Sequence, residues 1–249
     1  MIFTKTRLAV ATARPDADQA DKWAKKRAIF DHMLRQLTKV VRLRRDWTIA
    51  EFGIGRWGFG RFYAPYVEKV YGIDIEDYAD RHPGVEFVLS DGQTIPLPSA
   101  SVDLVVSHSV LEHVSDLDAS LREIDRITKP GGFLFLTVSP LYYSSYGAHL
   151  NSDGKRVENW EHLMPGTAHF LSANPLPDAA TGGHSLNRLT SSMFLASVGR
   201  QPWDILQYTM TYEDKLPPAG IVRDQCHPLE LIARGFVFIG QKSRHPATC

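Results

Sequence analysis

The densest chemical signal in the chain is Ile49-Ala50-Glu51-Phe52-Gly53-Ile54-Gly55-Arg56-Trp57-Gly58. Gly53, Gly55 and Gly58 follow a short apolar run, Thr48–Phe52, and precede a stretch of helical character, Arg61–Glu68. Glycine suits such a turn for two reasons. The turn needs backbone angles that side chains resist, and a ligand laid on it must come close to the main chain. Asp74 lies at the end of the next apolar run, Val70–Ile75, where a carboxylate in a doubly wound sheet reaches the ribose hydroxyls of a nucleotide. The same residues also read as a strand-to-helix turn with no ligand.

As a ligand cradle, the glycine pattern fits NAD as well as S-adenosylmethionine. Three further features favour the second. Glu51, at the strand tip, would repel the pyrophosphate of a dinucleotide. S-adenosylmethionine has no phosphate and carries an ammonium and a sulfonium. Ser90-Asp91-Gly92 places another carboxylate at the same edge, and Ile95-Pro96-Leu97-Pro98 leads into a fourth run, Val102–Ser107. These acidic tips fall at the carboxyl ends of successive strands, where open α/β sheets bind ligands.

From about residue 47 to 139 the sequence resembles the class I S-adenosylmethionine-dependent methyltransferases, in particular their small-molecule enzymes. The resemblance is carried in order by Glu51-Phe52-Gly53-Ile54-Gly55, Gly72-Ile73-Asp74-Ile75, Ser90-Asp91-Gly92, Ile95–Pro98 with Val102–Val105, Val110-Leu111-Glu112-His113-Val114, and Arg126–Gly132. It implies a doubly wound α/β fold: a seven-stranded, mostly parallel, Rossmann-like sheet with one antiparallel strand beside the fifth. It also implies roles. Gly53 and Gly55 lie against the amino-acid part of the cofactor, and Glu51 holds that region through bound groups or water. Asp74 accepts from the ribose, Asp91 meets the adenine amino group, Ile75 and Gly92 flank the adenine, and Ser107 faces the methionine portion. Where the family often has a third glycine, two positions after the second, this chain has Trp57.

Methyl transfer from a sulfonium is an in-line displacement with a good leaving group, so the protein mainly aligns the nucleophile and excludes water. A hydroxyl acceptor usually needs a general base within hydrogen-bond reach. His113, after the fourth strand, is the site-facing histidine by resemblance; its plainer reading is a helix-start histidine bonded to backbone. His149, in Tyr146-Gly147-Ala148-His149, is a candidate base or part of a substrate wall. His162 is similar, and His108 lies nearer the cofactor edge. No spacing matches a metal motif, and no metal is expected.

These residues need elements to position them. Residues 21–43 carry Phe30, Met33, Leu34, Leu37, Val40 and Val41 at helical spacing, which predicts an amphipathic helix. The apolar runs at Thr48–Phe52, Val70–Ile75, Val85–Leu89, Val102–Ser107 and Phe133–Ser139 alternate with helix-compatible stretches such as Leu117–Thr128. That alternation predicts a parallel sheet covered on both faces. Lys129-Pro130-Gly131-Gly132 reads as a stop and turn. Between 140 and 189 the pattern breaks. A loop that long in a compact domain is a functional lid or disordered. Tyr142, Tyr143, Tyr146, Trp160 and Phe170 argue against disorder, and His149, His162, His169 and His184 lie in the same stretch. A helix over Thr190–Gly199, strands over Trp203–Tyr212 and Phe236–Gln241, and a tail from Ser243 to Cys249 follow.

The chain has 249 residues with 28 basic against 28 acidic, which gives no electrostatic case for nucleic acid. Cys226 and Cys249 form neither a disulfide framework nor a zinc spacing and fit a reducing cytosol. No apolar run reaches the roughly 18 residues of a membrane span, and Met1–Arg14 has no secretory pattern. The expectation is a cytoplasmic, single-domain protein over 1–249, with a helix at 21–43 and a substrate-covering segment at 140–189. It transfers a methyl group to a small molecule, with oxygen ahead of nitrogen because of the available histidine bases. An aromatic cover suits a ring-bearing or sugar-like acceptor. The rivals are an NAD(P)-dependent oxidoreductase and a non-catalytic S-adenosylmethionine-binding protein. The sequence carries no signature of oligomeric state.

Overall fold

The computed structural model describes residues 17–149, 151–152, 155–167, 186–221 and 226–244; His169, Phe170, His184 and Cys249 lie outside them. The described strands are β1 (Thr48–Phe52), β2 (Lys69–Asp74), β3 (Glu86–Leu89), β4 (Val102–His108), β5 (Thr128–Val138), the short pair β6 (Asn151–Ser152) and β7 (Lys155–Arg156), β8 (Trp203–Tyr212) and β9 (Ala233–Lys242). Seven of them form one sheet in the order β3-β2-β1-β4-β5-β9-β8. The first five pair in parallel, and β9 runs antiparallel between β5 and β8. This is the expected mostly parallel sheet with one reversed strand.

Successive strand residues point to opposite faces, so each face collects its own core. On one face Ala50, Val105, Leu134 and Leu136 pack against α3 (Leu117–Ile127) and α4 (Ser191–Val198) through Leu121, Ile124, Phe194 and Val198. On the other, Ile49, Leu104, Val106 and Phe135 meet α1 (Ala17–Leu37), α2 (Gly60–Tyr63) and the residue before α2 through Phe30, Leu37, Tyr63 and Phe59. Asp116 caps α3 by accepting from the Ala119 N–H, and Thr190 caps α4 by accepting from the Met193 N–H.

Three boundaries differ from the sequence reading. The first helix covers Ala17–Leu37 rather than 21–43. Thr38 turns its hydroxyl onto the Leu34 carbonyl at 2.8 Å, and the following N–H groups fold back on Gln36 and Leu37 in tight turns. Val41 leaves the helix yet still enters the core. The helix expected over Arg61–Glu68 is only the four residues of α2 and a 3-10 turn, Ala64–Tyr66, because Pro65 supplies no N–H to continue it. Lys129–Gly132 is not a turn between elements but an irregular opening of β5. Val102 pairs with Thr128 and Leu104 with Phe133, and Gly131 at φ +80 takes up the excess chain.

Several motif residues act as fasteners. Arg126 donates to the carbonyls of Ile95 (2.7 Å) and Leu97 (2.8 Å), while Glu123 accepts from the Ile95 N–H, which pins the proline-rich lead-in to α3. Asp103 accepts from the Thr48 N–H and from the Lys129 ammonium at the amino-terminal start of the sheet, away from the glycine loop.

Candidate functional site

The β1–β2 register sets Phe52 opposite Ile73, and the N–H groups of Gly53 and Ile54 both donate to the Ile73 carbonyl (2.8 and 3.1 Å). The chain then turns on two left-handed glycines. Gly53 sits at φ +73, and a Cβ there would overlap the Val110 side chain. Gly55 sits at φ +52, and among the described residues nothing stands within 4 Å of where its Cβ would be. The loop is held from below by Asp74, whose Oδ2 accepts from the Gly55 N–H at 2.7 Å and whose Oδ1 accepts from the Ile75 N–H at 2.8 Å. From the side, His82 Nε2 lies 2.8 Å from the Gly55 carbonyl. A carbonyl only accepts, so this nitrogen carries the proton. Gly58 takes the close-packed glycine role: a Cβ there would strike the Ile54 backbone. Trp57, where the family often has glycine, packs on Trp23 of α1 with ring centroids 4.9 Å apart.

Glu51 is 1% exposed, and both its oxygens accept from the Phe59 N–H (2.9 and 3.0 Å). Burial pushes it up to about 8; the N–H groups of Phe59 and Gly60 and the nearby Lys26 oppose the shift without overcoming it. Near neutral pH it largely holds a proton. The charge on which the exclusion of pyrophosphate rested is therefore mostly absent, and Glu51 acts on the shape of the loop. Ser107 is buried and donates to the Phe52 carbonyl at 2.9 Å, fastening β4 to the tip of β1. Asp91 is exposed and closes its own turn by accepting from the Gln93 N–H. Gly92, at φ +81, presses against the Phe52 ring, with no room for a Cβ. Ile75 is 69% exposed, an apolar side chain left open directly after Asp74.

The histidines divide into two kinds. His108 is half-buried at the end of β4: its Nδ1 meets the Thr137 hydroxyl at 3.0 Å, the Phe59 and Phe135 rings flank it, and burial with the Lys26 charge pulls it down to about 3. His162 is buried, donates from Nε2 to the Tyr142 carbonyl at 2.7 Å, and is pulled down to about 4, chiefly by burial. His113 and His149 instead meet each other, with ring centroids 5.2 Å apart. His113 follows Val110, the residue seated against Gly53, and its N–H donates to the Val110 carbonyl. His149 has φ +53 and points Nε2 at the Pro140 carbonyl at 3.2 Å, so Nε2 carries the proton.

Three residues escaped the sequence reading as site residues: His82, Lys26 and Glu112. Glu112 is 1% exposed, neither of its carboxyl oxygens has a hydrogen-bond partner among the described residues, and burial pushes it up to about 7. It lies in the Val110–Val114 motif beside His113, where the sequence carries no sign of its burial. Among the described residues no group of three or more His, Cys, Asp or Glu is placed to hold a metal ion, and no helix is long and apolar enough to cross a membrane.

The segment after β5 has a core of its own. Tyr142, Tyr143, Trp160 and Leu163 pack with Ile221 and Leu231, and the Trp160 indole N–H donates to the Leu231 carbonyl. Tyr142, Tyr143 and Trp160 thus pack the segment rather than present rings to an acceptor. Asn187 ties the returning chain to the loop after β4, donating from its side chain to the carbonyls of Leu111 and Val114 and from its backbone to that of Glu112.

Residues 50–136 match the family described as a methyltransferase domain. The chain is 30% identical over 162 residues to a malonyl-[acyl-carrier protein] O-methyltransferase of Yersinia pestis, covering 62% of this chain and 59% of the relative. It is 29% identical over 247 residues to a probable S-adenosylmethionine-dependent methyltransferase of Mycobacterium tuberculosis, covering 88% and 85%. The chain spans between about two fifths and three fifths of the length of the first curated relatives it matches. The fold is shared with an S-adenosylmethionine-dependent methyltransferase of Mesorhizobium loti, with a TM-score of 0.55, 17% identity, and coverage of 84% of this chain and 96% of that one.

Proposed function

Because this chain belongs to the class I S-adenosylmethionine-dependent methyltransferases, we propose that it methylates an oxygen of a small-molecule acceptor, with His149 as the base and His113 as its partner. The observation that carries this reading is the ring contact between those two histidines, reached from Gly53 through Val110. The residues at the strand ends fit the cofactor. Gly55 leaves open space, Asp74 offers a carboxylate to the ribose, and exposed Ile75 with Gly92 offers an apolar bed for the adenine. The bound cofactor supplies the electrophilic methyl group on its sulfonium.

The protein's own part is positional. The strand registers and the Asp74 and His82 contacts hold the glycine loop, which fixes where the methyl group points. His149, with Nε2 anchored on the Pro140 carbonyl, takes the acceptor's proton at Nδ1 as the oxygen attacks. The described residues after β5, packed around Tyr142, Tyr143, Trp160 and Leu163, exclude water from the reaction. The O-methyltransferase relative agrees with oxygen as the accepting atom.

The test begins with titration of S-adenosylhomocysteine and NAD, followed by methyl transfer to a panel of hydroxyl, carboxyl and amine acceptors. We expect micromolar binding of the first ligand only. With a hydroxyl acceptor, His149→Ala should lower turnover by about 10²–10⁴, the range for a lost general base, with cofactor affinity unchanged. Full activity of His149→Ala, or transfer to amines alone, overturns the assignment. Cofactor binding without transfer to any acceptor favours a non-catalytic binding protein.

A further inference from the structure

α1 lies outside the residues that match the family, yet it packs against the glycine loop. Trp23 contacts Trp57, Phe62 and His82, and the Arg61 guanidinium lies over the Trp23 ring at 4.4 Å. One turn further along, Lys26 is four residues before buried Phe30, so the two share a face of the helix. That face looks onto Phe59. The Lys26 ammonium stands 5.0 Å from the centre of the Phe59 ring. Phe59 in turn gives its N–H to Glu51 at the end of β1 and lays its ring 5.1 Å from His108 at the end of β4. The ammonium is thereby carried to the carboxyl ends of the two central strands, where sheets of this kind bind their ligands.

Lys26 is half-buried, and its charge is only weakly compensated. Among the described residues its ammonium has no hydrogen bond and no ion pair within 4 Å. The nearby carboxyl, Glu51, directs both oxygens at the Phe59 N–H. Burial lowers the Lys26 pKa, with Glu51 opposing the shift. A partly desolvated cation with three undirected donors is costly unless an anion meets it. S-adenosylmethionine has one anionic group, the carboxylate of its methionine part.

We propose that Lys26 receives the methionine carboxylate of the cofactor, so that α1 completes the cofactor site from outside the sheet. The proposal rests on the reading that the crevice holds S-adenosylmethionine. It makes Lys26 a cofactor-binding residue that tells the full cofactor from fragments lacking the carboxylate. The ribose and adenine contacts at Asp74 and Gly92 lie on other strands and are independent of it.

The test is calorimetric titration of the whole chain with S-adenosylhomocysteine and with 5′-methylthioadenosine, which keeps the adenosine and lacks the amino-acid carboxylate. Lys26→Met keeps the aliphatic stem, and circular dichroism checks its fold. The variant should bind S-adenosylhomocysteine about ten- to a hundredfold more weakly, the range for one hydrogen bond to a charged group. Its affinity for 5′-methylthioadenosine should match wild type, and Lys26→Arg should recover most of the loss. Unchanged S-adenosylhomocysteine affinity in Lys26→Met overturns the proposal. An equal loss for both ligands also overturns it and assigns Lys26 to helix packing. Wild-type protein that binds neither ligand removes the cofactor reading itself, and the proposal with it.

Discussion

The glycine loop and the segment after β5 reach their final shapes by different means. The loop is held by the backbone: strand register, two left-handed glycines, and side chains such as Asp74, Glu51 and His82 that bond main-chain groups. The segment is held by side-chain packing among Tyr142, Tyr143, Trp160 and Leu163 from one stretch and Ile221 and Leu231 from another. A backbone-held site tolerates little change in the identity of its glycines. A side-chain core tolerates little loss of volume. The two should therefore fail differently, and the largest expected effect is on the second. Trp160→Ala empties the centre of the small core and leaves the Leu231 carbonyl without its indole donor. Large aromatic-to-alanine changes in cores cost about 3–5 kcal/mol. Urea denaturation should show that loss, or a separate early transition of the cover, while S-adenosylhomocysteine affinity stays near wild type. Equal loss of cofactor affinity would mean that the two regions form one cooperative unit.

Two glycines sharpen the contrast from the loop side. Gly53→Ala forces a Cβ into Val110 at a left-handed backbone position, so strain and overlap add. Gly55→Ala meets open space and bears only the left-handed strain, about 1–2 kcal/mol. Gly53→Ala is therefore expected to lose about 2–4 kcal/mol of stability, adding an overpacking cost to the strain. If the cofactor lies where proposed, Gly55→Ala should nevertheless be as damaging in cofactor titrations as Gly53→Ala, because its methyl group would enter the open space beside the loop. Normal cofactor affinity in Gly55→Ala would show that the open space is solvent and not a cradle.

The same division explains what could be read in the sequence. Strand ends, the glycine loop and the place of Asp74 at the end of β2 were legible because period-two burial and turn chemistry are local, whereas the reversed β9 followed only from the family resemblance. The meeting of His113 with His149 was not legible: both were named, but nothing in the 35 intervening residues states a ring contact. Nor was the contact of His82 with Gly55, which depends on where the turn after β2 folds back. Glu51 shows the opposite failure. Its position was read correctly and its charge wrongly, because the sequence does not reveal the depth of burial that keeps it protonated. Tyr142 and Tyr143 read as part of an aromatic cover, and their packing partners Ile221 and Leu231, far along the chain, could not be named from the sequence.

The smallest expected effect concerns Glu112, which sits between the two regions on the loop after β4, its own carbonyl bonded by the Asn187 N–H. Its folded pKa is raised from 4.5 to about 7, by burial, so the native state holds a proton that the unfolded chain has released. Stability from this group is present below the unfolded value and is lost as pH rises through about 7. Glu51 acts in the same sense up to about 8. His108 and His162, pulled down to about 3 and 4, act oppositely: their contribution is present above the ordinary histidine value of 6.5 and is lost below it. Between about pH 4.5 and 6.5 the two pairs oppose one another in wild type, and above 6.5 the glutamates alone lower stability. Glu112→Gln removes one falling contribution. The variant should therefore gain on wild type steadily from pH 4.5 to about 7, reaching about 1–3 kcal/mol, and hold a constant difference beyond. Urea midpoints at half-unit intervals from pH 4.5 to 8.5 measure that difference directly, because every other titrating group is common to both proteins. A difference that does not vary with pH would place the Glu112 carboxyl in contact with water, and the loop after β4 would then belong with the open cofactor edge rather than with the packed cover.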